Sequence, residues 1–384
     1  MDGSAQLATS MTHAAEFSLR WATAGDAVPM HFGEMDYGCD PEVLTAIQDR
    51  LRLPLLYPPP TKSSPVSETV AGHYRESHGL DIPREAFWFA SGALAQNAQV
   101  MSALVGPGDV VLCRYPMFPY LLEVIRNTGA TARPLPSGPR GQLSLEALEA
   151  ALTPETKAIY LVNPHNPTGE SYSPSDLQSI ADAAVRSKVW VVSNELHSRL
   201  TFQGRHTPFA QLSAAAAQAS ITLSGASKSH NLAGIGGSFA FSHNLDLLER
   251  VRRHAGHAIS EASSVQQVAM TAAYRHDSPW LVDVRRRIRS IHSLMTGALS
   301  SELPTLRVTQ AKSTYFLWMD LRSLIGDADA VTVLRSQCGI LACSGLDFGV
   351  DPSFARLTIA VEEPVAELAL KRLVSGLRTL PGAS

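Results

Sequence analysis

Four cysteines in 384 residues (Cys39, Cys113, Cys338 and Cys343) are too few for a disulfide scaffold, and their spacing suits no metal site. Reduced thiols of a cytoplasmic protein fit that usage, and Cys113, closing the run Val110-Val111-Leu112-Cys113, reads as a core residue. The thirteen histidines include no His-Glu-x-x-His pattern, so a metal centre is not expected. Charge is scarce too, at 17% of residues with a net −3. No basic patch is large enough to suggest nucleic acid. The densest cluster, Arg285-Arg286-Arg287 with Arg289, lies in a helical stretch and reads as a solvated face. No apolar run reaches membrane length, and the amino terminus lacks a basic segment followed by an apolar one, so neither a membrane partner nor a signal peptide is expected. Internal repeats are absent, and low complexity is confined to Ala214–Ala217.

What the chain does have is length and apolar content. At 384 residues and 45% hydrophobic it should be globular, with a large α/β unit or two packed domains. Short apolar runs predict strands at Ala86–Phe89, Val110–Arg114, Ala158–Val162, Val189–Ser193, Ala219–Leu223 and Ser238–Phe241. Helices are expected between them at Leu94–Val105, Leu145–Leu152 and Pro174–Arg186; the last has Ser173 to cap it, Pro174 at its first position and Asp176 in capping-box spacing. Runs buried on both faces and separated by helices imply a mostly parallel sheet. From about Leu248 helices dominate, followed by a strand-like Tyr315–Met319 and a terminal helix near Val365–Leu377. The predicted division is residues 1–50 as an arm, 51–275 as a large domain and 276–384 as a small one.

Three polar clusters follow three of the expected strands: Asn163-Pro164-His165-Asn166-Pro167-Thr168-Gly169, Asn194-Glu195-Leu196-His197, and Ser224-Gly225-Ala226-Ser227-Lys228. Ligands of open α/β sheets sit outside the carboxyl ends of strands. A lysine there, among residues too small to cover it, can present its amine to a pocket, where desolvation makes it a nucleophile for an aldehyde. Alone, each cluster has an ordinary reading: Lys228 as a solvated surface lysine, the Asn-Pro-Gly segment as a turn. Together they favour a site. Gly234-Ile235-Gly236-Gly237 echoes a nucleotide loop, but it follows Lys228 instead of opening a βαβ unit and is discounted.

With these segments the chain resembles the fold-type I pyridoxal-phosphate enzymes of the class I/II aminotransferase superfamily, and within it the cystathionine β-lyase-like C–S lyases. The resemblance rests on Pro29-Met30-His31-Phe32-Gly33-Glu34-Met35-Asp36-Tyr37, the Asn-Pro-His-Asn-Pro segment, Glu195-Leu196-His197, Ser227 to Gly234, Gly345-Leu346-Asp347-Phe348-Gly349 and Phe354-Ala355-Arg356-Leu357. It implies an aminotransferase-like α/β fold with pyridoxal 5′-phosphate as cofactor, acting on a small amino acid in a homodimer with shared active sites. Carried over, it makes Lys228 the lysine that bonds the cofactor and moves the α-proton. Asn166 and His197 would meet the edge of the cofactor's phenolic oxygen, Phe118 would stack on the ring, and Asn194 would face the ring nitrogen. Gly92, Ala93 and Leu94 would offer backbone N–H groups to the phosphate, helped by Ser224 and Ser227. Tyr57 would reach the neighbouring subunit's phosphate and take part in catalysis there. Arg356 would grip the substrate carboxylate as a two-pronged donor, and Glu34 would stand near the substrate. Without the resemblance, Phe118 reads as core, Arg356 as a surface charge on a strand and Tyr57 as a turn aromatic.

The chain departs from the family pattern at telling positions. Asn194 stands where most members have aspartate, whose charge keeps the ring nitrogen protonated; a neutral amide gives a weaker electron sink. Transamination needs that sink twice, whereas β-elimination with a prompt thiolate departure tolerates a weak one. Lys312-Ser313-Thr314-Tyr315 replaces Glu-Gly-Thr-Tyr, Thr358 an asparagine, His31 a tryptophan and Glu34 an aspartate. The expectation is a C–S β-lyase on an S-substituted cysteine, in specialised natural-product biosynthesis. The alternatives are a decarboxylating oxidative deaminase, an aminotransferase, or a binding module that has lost turnover.

Overall fold

The computed structural model describes residues 18–60, 63–136, 143–380 and 382. The first seventeen residues, on which the signal-peptide expectation partly rests, lie outside that set. Two compact units form. The larger comprises Cys39–His165 and Ser171–Asp283; the smaller comprises the described residues up to Gly38, Asn166–Glu170, and those from Val284 onward. The divisions therefore fall at Gly38 and Asp283, where the sequence suggested 50 and 275, and the Pro41–Leu51 helix goes with the larger unit.

The larger unit is built on a seven-stranded sheet in the order Phe87–Ala90, Ser238–Phe241, Ser220–Ser224, Trp190–Asn194, Thr156–Val162, Val110–Cys113 and Thr131–Pro134. Only Ser238–Phe241 runs antiparallel to its neighbours. The five strands that carry the expected site segments therefore point their carboxyl ends to one edge. Their residues are almost all buried, as helix-covered parallel strands require. Thr131–Pro134, which the sequence did not suggest, is the exception. It is an edge strand, largely exposed, carrying an arginine and ending in proline, so no apolar run marks it.

Local signals set the helices. Ser173 caps Pro174–Ser187 by accepting from the Asp176 N–H at 3.0 Å, but Asp176 accepts from the Ser173 hydroxyl, not from the backbone N–H that a complete capping box would use. The complete box lies elsewhere: Ser263 Oγ accepts from Gln266 N, and Gln266 Oε1 accepts from Ser263 N at 2.8 Å, opening Ser264–Tyr274.

In the smaller unit an antiparallel sheet runs in the order Cys343–Ser344, Phe354–Thr358, Phe316–Asp320 and Arg307–Val308, while Val28–Pro29 pairs in parallel with Ile340–Leu341. Ile291, Met295, Leu299 and Leu303 recur at helical spacing and pack with Leu317, Met319, Leu357, Ala369 and Leu373. Of the arginine cluster, Arg286 and Arg289 are exposed, and Arg287 pairs with Glu362 at 3.3 Å. No helix among the described residues is long and apolar enough to cross a membrane.

Replacing Ser263 with alanine removes one half of the complete box. It should lower stability by about 1 kcal/mol, read as a lower denaturant midpoint at unchanged slope.

Candidate active site

The carboxyl edge of the large sheet collects the residues that matter. The Phe87–Ala90 strand leads through Ser91 and Gly92 into the twelve-residue helix Ala93–Leu104. No side chain among the described residues caps that helix, so its first N–H groups, those of Ala93 and Leu94 among them, are available to an anion. A Cβ on Gly92 would meet nothing within 4 Å, so the approach is open. The peptide in front of the helix is held from behind: Ser91 O accepts from Gly237 N at 2.9 Å and from Gln266 Nε2 at 3.0 Å. Gly236 has a φ of +78°, and a Cβ there would fall 2.7 Å from the Ser91 oxygen. The glycine-rich Gly234–Gly237 segment thus serves to bring the backbone under Ser91. Its function could not be read from the sequence, because Ser91 is far away in the chain.

Lys228 follows the Ser220–Ser224 strand in a tight turn in which His230 N donates to Ala226 O at 2.9 Å. The lysine and Ser227 are half-buried. Ser224 is buried, and its hydroxyl donates to the Glu195 carbonyl at 3.2 Å, so its proton goes to the backbone. Phe118, the residue before Pro119–Arg126, is half-buried against the core, its ring 5.3 Å from that of Tyr120. His197 lies buried three residues after Asn194. A phosphate-suited helix end, a lysine and a half-exposed aromatic ring at one sheet edge fit pyridoxal 5′-phosphate, the cofactor the resemblance implies.

Asn194 closes its strand with its side chain 6% exposed. Its Oδ1 accepts from Leu196 N at 3.3 Å; its Nδ2 donates to the Tyr160 hydroxyl at 3.2 Å and reaches Asn97 Oδ1 at 3.4 Å. Burial pushes the Tyr160 phenol above its ordinary range, partly offset by the Asn194 hydrogen bond, so the phenol stays neutral. The next residue, Glu195, is fully buried. It accepts from Ser193 Oγ at 2.8 Å and Phe209 N at 2.9 Å, and pairs with His206 Nε2 at 2.9 Å. Sequence reasoning missed Asn97 and Tyr160, which sit on elements remote in sequence from Asn194, and His206, which returns to Glu195 from a loop eleven residues on.

The smaller unit carries the other group of expected residues. Arg356 is 3% exposed and lies between two rings, 4.2 Å from the centroid of Phe316 and 5.1 Å from that of Phe348. Its Nη1 donates to Asn166 Oδ1 at 3.1 Å; its Nη2 donates to the His31 carbonyl at 2.7 Å and lies 3.2 Å from Cys343 Sγ. Its Nε has no hydrogen-bond partner among the described residues, which leaves donor capacity for an anion. Burial lowers the pKa of His31, and the nearby Arg20 and Arg356 guanidinium groups lower it further, so its ring adds no charge. Asn166 is fixed because Gly169 O accepts from both Lys312 N and Ser313 N at 3.0 Å; a Cβ on Gly169 would strike Ala311. Thr358 Oγ1 donates to Phe32 O at 2.7 Å and Glu34 accepts from Ser18 Oγ at 2.7 Å, both tying down the segment around His31.

Tyr57 stands apart. It is fully exposed, and its own chain brings it to none of these residues.

The sequence matches the family described as aminotransferase class I and II over residues 26–373. The chain belongs to that family. It is 27% identical to cystathionine beta-lyase PatB of Bacillus subtilis, over 95% of this chain and 96% of that one. It is 30% identical to the probable N-succinyldiaminopimelate aminotransferase DapC of Mycobacterium tuberculosis, over 84% and 82%. Its fold superposes on cystalysin of Treponema denticola, whose crystal structure contains pyridoxal 5′-phosphate, with a TM-score of 0.88 at 23% identity over 94% and 96% of the two chains. The aminotransferase-like α/β fold expected from the sequence is therefore the one found.

Gly236→Ala should move the peptide in front of Ala93 and cost roughly 1–3 kcal/mol of backbone strain. Titration of the cofactor-free protein with pyridoxal phosphate should show weaker uptake while far-ultraviolet circular dichroism keeps its shape. Unchanged uptake would mean that the glycine segment does not set the helix end.

Proposed function

We propose that this protein is a pyridoxal-phosphate-dependent C–S β-lyase that converts an S-substituted cysteine and water into a thiol, pyruvate and ammonium. The observation that carries the reading is the set at the large sheet's edge: an uncapped helix end, Lys228, and a neutral Asn194 where a charged residue would make a stronger electron sink. When bound, the cofactor supplies an aldehyde for amines and a ring that withdraws electrons from the substrate's α-carbon. The chain does the rest. The first N–H groups of Ala93–Leu104 would hold the phosphate, and Phe118 would cover the ring. Arg356, packed against the rings of Phe316 and Phe348, binds the substrate carboxylate through charge-assisted hydrogen bonds. The Lys228 amine takes the proton from the α-carbon; the bond to sulfur then breaks, with the electron pair leaving on the thiolate. The neutral amide of Asn194 suits a reaction whose charge leaves with sulfur instead of resting on the ring.

Transamination is the second reading, supported by the 30% identity to DapC. It needs a keto-acid acceptor and releases no pyruvate from an S-alkylcysteine.

Incubation with S-alkylcysteines should release thiol and pyruvate in equal amounts without a keto acid, and Lys228→Ala should abolish this together with the visible colour of the bound cofactor. Arg356→Ala should weaken substrate binding by roughly 2–5 kcal/mol, read as a raised KM. A keto-acid requirement, or consumption of oxygen with release of carbon dioxide, would replace elimination by transamination or oxidative deamination.

We also infer a homodimer with shared sites. Leu53, Leu55 and Leu56 are 60–73% exposed and lead into the fully exposed Tyr57, an apolar strip that gains by burial against a second copy. Light scattering should give twice the chain mass, and Tyr57→Phe should weaken cofactor retention. A fully active monomer would contradict this.

A further inference from the structure

The three side chains around Asn194 have a single self-consistent arrangement of hydrogens. Two backbone groups fix it. Leu196 N–H is a donor, so it must meet the oxygen of Asn194 and not its amide nitrogen. Asn97 Nδ2 donates to the Ala93 carbonyl at 2.7 Å, so the oxygen of Asn97 faces the other way. Between them, Asn97 Oδ1 accepts from the Tyr160 hydroxyl and from Asn194 Nδ2, and Tyr160 also accepts from Asn194. Flipping either amide would put donor against donor at Leu196 or acceptor against acceptor at Ala93. All three side chains are at least 94% buried, and none carries charge.

We infer that Asn97 is a positioning residue that reserves position 194 for a neutral amide donor and excludes a carboxylate, while Tyr160 hydrogen-bonds both partners. A carboxylate oxygen in the place of Asn194 Nδ2 could still accept from Tyr160, but it would face the lone pairs of Asn97 Oδ1, and Asn97 cannot turn over without losing Ala93. Burial magnifies that repulsion. The weak electron sink is thus built into the core by residues on a helix and a neighbouring strand. The inference deepens the lyase reading and rests on it for one point only, that the cofactor's ring nitrogen faces Asn194.

The test is a double-mutant cycle in the full-length protein, using Asn194→Asp, Asn97→Leu and the two together. In the wild-type background Asn97→Leu leaves Tyr160 and Asn194 short of an acceptor and should lower the melting temperature by roughly 2–4 °C. In the Asn194→Asp background the same substitution removes the opposing lone pairs and should raise it. Affinity for pyridoxal phosphate should fall roughly tenfold, equivalent to about 1.4 kcal/mol, in Asn194→Asp and recover largely in the double variant. Equal lowering of the melting temperature by Asn97→Leu in both backgrounds would overturn the inference. The pH titration of the cofactor's visible band separates the two claims: it should shift in the double variant, where a carboxylate stands beside the ring. A reversal in melting temperature with an unshifted titration would keep the network and remove Asn194 from the ring.

Discussion

The parallel pairing of Thr156–Val162, Trp190–Asn194 and Ser220–Ser224 is the constraint from which the site follows. The ladder runs one residue past the strands, with Asn163 N donating to Asn194 O at 2.9 Å and Glu195 N to Leu223 O at 2.8 Å. Those bonds set the register at which the chain may leave the sheet. They bring Asn163, Asn194 and the approach to Lys228 to one level at the same edge. A parallel sheet covered by helices offers its strand ends as the natural place for polar residues, because most positions further in are apolar and buried.

Polar groups at that edge are expensive unless satisfied, and the chain satisfies them by two different means. Glu195 keeps a carboxylate inside by surrounding it with a hydroxyl, a backbone N–H and the imidazole of His206. Asn194, its neighbour, is held by neutral partners only. A buried charge needs a partner and several hydrogen bonds, whereas a buried amide needs only hydrogen bonds. The two neighbours thus end the strand on a neutral amide, with the carboxyl group one residue beyond it. In the smaller unit Arg356 is treated similarly: two rings pack against its guanidinium, and Asn166 and the His31 carbonyl take part of its donor capacity.

Much of this was legible in the sequence. The buried strands announced themselves as short apolar runs, and all six expected ones are present within a residue or two of their expected ends. The polar clusters that follow them were visible because three of them fall after three strands of one sheet, each being ordinary alone. Thr131–Pro134 was not legible, since an exposed edge strand has no apolar pattern to show. Asn97 and Tyr160 looked like ordinary helix and strand residues; their importance lies in contacts between elements 63 and 34 residues apart, which no local pattern encodes. The hydrogen bond from the Ser224 hydroxyl to the Glu195 carbonyl was likewise not legible, since it joins the ends of two neighbouring strands. The aspartate of the Ser173 cap bonds the serine hydroxyl in place of the backbone N–H, a preference that spacing alone could not reveal.

Lys228 is the residue on which the proposed chemistry depends, because it is the one that would bond the cofactor. Sodium borohydride reduction of the cofactor-loaded protein, followed by proteolysis and mass spectrometry, locates that bond directly. One modified peptide is predicted, the one containing Lys228, with the phosphopyridoxyl mass on its lysine side chain. Label on another lysine, such as Lys157, Lys188 or Lys312, or no label at all, would contradict the account.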